Sequence, residues 1–205
     1  MNAITRNIKN FLFITLLLLL VKPAAAQVNH TATGNPVKNF NNSLAGVNLS
    51  FTFPDGFKEI KAVNTDNFPF DYAMELPGQD FEIWLRINTQ KENEKLLADK
   101  NIHVSSPDSV YVGIAQHQIN AFTSDKNYLK RGLPPYIVER YNADAGSTYL
   151  LNLDDSPITK HYKYALLIVL QKNRLGTVLA VCFTNIKGPD FFKNMNKAGN
   201  CLKFK

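Results

Sequence analysis

The chain has 205 residues, 45% hydrophobic and 20% charged, with two cysteines and a formal net charge of +6. That composition excludes a low-complexity chain and a dense disulfide scaffold, and the length is enough for a domain to bury its own core. The positive excess would suit a nucleic-acid binder, but its distribution along the chain points elsewhere.

Arg6 and Lys9 precede an apolar stretch from Phe11 to Val21, Lys22-Pro23 breaks it, and Ala24-Ala25-Ala26 supplies small residues. This is the pattern of a secretory signal peptide over residues 1–26, cleaved so that the working protein begins near Gln27. The expected location is periplasmic or extracellular, in a bacterial envelope. Eleven apolar residues fall short of the about 20 that span a bilayer, which counts against an uncleaved anchor, and no transmembrane segment is expected after cleavage. The signal holds three basic residues and no acid, so the processed chain carries +3. No nucleic-acid partner is expected at that charge. From Lys160 to Lys205 there are nine Lys or Arg and one acid, Asp190. Such a basic C-terminal part is either a solvated face or a contact for an anionic surface.

Residues 27–48 are rich in Asn, Thr, Ser and Gly and read as a flexible N-terminal lead-in. Their sequons at Asn29, Asn41 and Asn48 matter only in a eukaryotic secretory pathway. Residues 49–205 read as a single α+β domain. Leu49 to Phe53 alternates as a strand, Pro54-Asp55-Gly56 turns, and Phe57 to Val63 continues as a second strand. Phe70 to Leu76 and Phe81 to Ile87 flank Pro77-Gly78-Gln79-Asp80, which predicts an antiparallel hairpin. In the second run Phe81, Ile83, Leu85 and Ile87 share one face, and Glu82, Trp84 and Arg86 the other.

Lys91 to Lys100 reads as helical, and Ser106-Pro107-Asp108 starts a second helix. Val110, Ile114, Gln118 and Phe122 then repeat every four residues down to a stop near Ser124, giving one apolar stripe. After Pro134-Pro135 the expectation is four strands: Tyr136 to Tyr141, Ser147 to Leu153, Tyr162 to Gln171 and Leu175 to Phe183. Lys172-Asn173-Arg174 and Gly176 suit a hairpin turn, and the unbroken apolar run Ala165 to Leu170 predicts a strand covered on both faces. Pro189-Asp190 begins a short helix that Gly199-Asn200 ends. The expected fold is therefore α+β: an antiparallel sheet flanked by helices in a three-layer αβα sandwich.

The segment Leu49-Ser50-Phe51-Thr52-Phe53-Pro54-Asp55-Gly56-Phe57, with the hairpin around Pro77-Gly78, the central helix and the strand pair 162–183, resembles the PsbP-like family of αβα sandwiches. That resemblance implies an exported, non-enzymatic accessory or binding role, with an unknown protein or envelope component as partner. It assigns no site residue.

Catalytic patterns are sparse. No Gly-x-Ser-x-Gly occurs, and Cys182 lies among apolar residues that disfavour a thiolate. His30, His103, His117 and His161 lack metal-ligand spacing, and there is no phosphate loop or dinucleotide fingerprint, so no metal and no cofactor is expected. Glu75, Glu82, Glu139 and Asp144 are read as solvated strand-face charges rather than a glycosidase pair. In an oxidising compartment Cys182 and Cys201 are a candidate disulfide, worth about 3 kcal/mol for a loop of about 20 residues. Two buried free thiols are the equal alternative. The candidate ligand-binding residues are Asn142 and Asp144, in the polar link between two strands, and Trp84 with Arg86, an aromatic–arginine pair of the kind binding surfaces favour. If a helix covers the second pair, it is core and rim. The functional expectation is a non-catalytic binding or accessory protein of the envelope. The alternative is an envelope hydrolase whose site draws Asp144, His117, His161 and Glu139 together in three dimensions.

Overall fold

The computed structural model describes residues 36–98 and 106–205. The expected signal peptide, the first part of the lead-in, His30 and His103 lie outside the described residues. In chain order the elements are α1 (Pro36–Gly46), β1 (Leu49–Phe51), β2 (Lys58–Ile60), β3 (Asn64–Thr65), β4 (Phe68–Pro69), β5 (Tyr72–Glu75), β6 (Glu82–Thr89) and α2 (Gln90–Leu97). A 3-10 turn (Pro107–Ser109) then leads into α3 (Val110–Phe122), β7 (Leu129–Gly132), α4 (Pro135–Arg140), β8 (Ala145–Asn152), β9 (Tyr164–Lys172), β10 (Gly176–Thr184), α5 (Pro189–Lys197) and β11 (Leu202–Phe204).

Seven strands form one antiparallel sheet in the order β2-β5-β6-β10-β9-β8-β7, while β1 pairs with β11 and β3 with β4. The sheet is the middle of three layers. Because side chains alternate across a strand, β9 and β10 feed two separate cores. Leu166, Leu170, Val178 and Cys182 pack on one face beneath α1, α4, α5 and the β1–β11 ribbon. Leu167, Val169, Leu179 and Val181 pack on the other against the apolar stripe of α3. The run Ala165 to Leu170 is thus covered on both faces, as its composition predicts.

Both expected hairpins form, β5 with β6 and β9 with β10. At the second, Arg174 sits in the left-handed region and Gly176 has φ 152°. A Cβ on Gly176 would fall 2.2 Å from the Asn88 carbonyl oxygen, a close approach that only glycine tolerates.

Three expectations are corrected. The lead-in ends earlier than residue 48: residues 36–46 are helix α1, with Phe40 and Leu44 buried and Phe40 stacked on Tyr72 at 4.4 Å between ring centres. Phe40, Leu44 and Val47, spaced by four and three, make an apolar stripe that the polar composition hides. Tyr136 to Tyr141 is not a strand but belongs to helix α4 and its C-terminal cap. Pro135 occupies the first helical position, where a missing N–H costs nothing, and outweighs the β-branched Ile137 and Val138. Glu82 is not a solvated charge; it is 4% exposed.

Candidate functional site

Trp84 is 1% exposed and sits between Phe70 and Phe183, with ring centres at 5.2 and 4.6 Å. Its indole N–H donates to Glu82 Oε2 at 3.0 Å. Arg86 follows on the same face, half-buried, and that burial lowers its pKa. With α3 covering this face, the pair is core and rim rather than a binding surface.

Asn142 and Asp144 are spent on the fold. Asn142 adopts φ 50° and donates from Nδ2 to the Phe204 carbonyl at 3.1 Å. Lys172 Nζ donates to Asn142 Oδ1 at 3.3 Å and to Asp144 Oδ1 at 3.2 Å, and the Asn173 N–H donates to Asp144 Oδ2 at 2.8 Å. The link therefore ties the start of β8 to the β9–β10 turn and the chain end. Trp84 and Asn142 do not meet, since one lies under α3 and the other holds β11 on the opposite face.

The residues of the hydrolase alternative are also spread out. Glu139 and Asp144 share a shallow depression beside α4, and His117 borders a different one near Phe68. His161 is exposed and pairs with Asp155. Among the described residues no three of His, Cys, Asp and Glu gather as a metal site.

The site that stands out lies under α4. A cavity of about 250 Å³ opens between the sheet, α4, α5 and the segment leading to β11. Its floor is the outward-facing set of the central strands, Leu166, Ile168, Leu170, Ala180 and Cys182. Leu133 just ahead of α4, Ile137 within it and Tyr141 at its C-terminal cap, spaced four residues apart, form one wall. Met195 and Ala198 of α5 and its exit, followed by Cys201 and Leu202, form another.

The space has a local cause. Ala180 faces Ile168 and Leu85 across the ladders, so a small side chain sits where a large one would fill the layer. Above it, α4 is only six residues long and contributes no fully buried residue, so it stands off the sheet. An apolar cavity of roughly 150 Å³ already stays dry and admits benzene, so this larger one has room for a small apolar ligand.

Cys182 and Cys201 both line this cavity, buried and unbonded, which is the free-thiol member of the two alternatives. Burial pushes the Cys182 thiol far up and the Cys201 thiol up to about 12. Tyr141 is raised by burial as well. The thiols therefore act as small apolar groups and not as nucleophiles.

No family model matches this chain, and no curated protein matches it.

Sequence reasoning missed the cavity because one wall comes from α4, read as a strand, and another runs on into β11, not read at all, although α5 and the strands of the floor were expected. The prolines at 134 and 135, with Ile137 and Tyr141 four residues apart behind them, are the signal for α4 and its inward face.

Proposed function

We propose that this chain is an exported, non-catalytic binding protein of the cell envelope that holds a small apolar or amphipathic molecule in the cavity under α4. The observation that carries the reading is the cavity itself, mostly apolar and lined by Leu166, Ile168, Ala180 and Met195. Ligand sites are concave, mostly apolar and largely pre-formed. The signal-like N-terminus and the PsbP-like resemblance support export and an accessory role. The wide separation of His117, His161 and the Glu139–Asp144 pair weighs against the hydrolase alternative.

Thermal unfolding of the purified protein with and without 1-decanol tests the reading. A ligand that binds only the folded state raises the midpoint by mass action. The rise should be present in the wild type and absent in Ala180→Leu and Thr148→Leu, which fill the space; the first leaves every side-chain hydrogen bond in place, and the second gives up only the exposed one from Thr148 Oγ1 to the Arg131 carbonyl at 3.5 Å. No rise in the wild type, or an equal rise in both variants, would overturn the assignment.

A further inference from the structure

We infer that the cavity selects a single-chain amphiphile with an anionic head, the tail lying against β9 and β10 and the head held by Arg140. This deepens the proposed function and rests on the cavity being the ligand site.

Among the described residues lining the cavity Arg140 is the one charged side chain, and none is Asp or Glu. The polar remainder, Thr148, Tyr136, Tyr141 and Asn196, is neutral. Arg140 is exposed at the end of α4, and among the described residues it forms no ion pair. The neighbouring Glu139 borders the shallow depression beside α4, not the cavity. A guanidinium free of a protein carboxylate, at the edge of an apolar space, presents a planar fork that suits a carboxylate or phosphate and repels a cation.

The surrounding charge has the same sign. Helix α5, which gives Met195 and Asn196 to the wall, carries exposed Lys193 and Lys197 against the single acid Asp190. A cationic head would meet this field unfavourably, and a neutral head would leave Arg140 unused. The volume sets the tail. By proportion to the roughly 150 Å³ that admits the six carbons of benzene, about 250 Å³ holds a chain of about ten.

The test compares decanoate and 1-decanol by isothermal titration into the wild type and Arg140→Gln, at low and high salt, with decyl phosphate in parallel. The ratio of decanoate to decanol affinity should fall about fivefold or more in R140Q, the range of an exposed charge contact, and shrink in salt. Decanol affinity should fall far less than decanoate affinity, and a circular dichroism spectrum matching the wild type's reports that the variant is folded. Arg140→Lys should recover part of the ratio. Decyl phosphate binding more tightly than decanoate would support the proposal and name the head as phosphate. A ratio indifferent to R140Q and to salt would overturn the head-group assignment while leaving the cavity reading intact. Failure of all three compounds to bind the wild type would defeat both.

Discussion

Lys160 places its ammonium 2.6 Å from the carboxylate of Glu82, 78 positions earlier in the chain. Glu82 is buried, and its other oxygen accepts from the Trp84 indole. Across the ladder it faces Glu75, a like charge that is itself paired with Lys58 at 3.6 Å. Lys160 and His161 both adopt left-handed φ, 53° and 61°, a conformation that costs a non-glycine residue energy and persists where contacts over-determine it. The ion pair is such a contact.

Removing the lysine leaves a buried carboxylate without its cation. Lys160→Met should destabilise the fold by about 1–3 kcal/mol in urea titration, less than a fully buried pair because the lysine is half-exposed. Adding Glu82→Gln should recover much of the loss. If the double variant is as unstable as the sum of the two single changes, the residues are not coupled.

Asp71 gives the fold a pH dependence. It accepts from the Ile87 N–H at 2.7 Å, yet burial dominates and pushes its carboxyl up from 3.8 to about 6. A raised carboxyl pKa means that the fold favours the protonated form. Its contribution is full below about pH 4 and lost as pH rises through about 6. Asp71→Asn should flatten the stability profile across that window and be more stable than the wild type at pH 7, by roughly 1–3 kcal/mol. Urea midpoints measured from pH 4 to 7 check this; an unchanged slope would assign the dependence to other groups.

The two thiols give a covalent readout. Alkylation of the native protein should be slow at both Cys182 and Cys201, because burial keeps them protonated. In denaturant without reductant, mass spectrometry should find both cysteines alkylated. Finding neither alkylated would mean a bond between them.

Much of the sheet was legible from sequence. The strands around Phe81 to Ile87 and Ala165 to Leu170 carry alternation or a continuous apolar run, and flanking turn residues fix their pairing. The stripe Val110, Ile114, Gln118, Phe122 placed α3 for the same reason. What local pattern does not encode is which polar residue a neighbour will cover. Glu82 and Trp84 sit on the polar side of their strand by alternation, and α3 makes that side a second core. The cavity is less legible still. It depends on Ala180 being small at the point where a short α4 fails to reach the sheet, a relation between residues forty positions apart. Asn142 and Asp144 carried the right chemistry for a turn, and a turn is what they make.

An isotope-filtered nuclear Overhauser experiment on the protein with decanoate bound locates the ligand chain directly. Contacts are expected from the ligand chain to the methyl groups of Ile168, Ala180 and Met195, with their loss in Ala180→Leu. Contacts to methyls of the α3 face instead, such as Ile114 or Leu179, or none to the protein interior, would contradict the cavity as the ligand site.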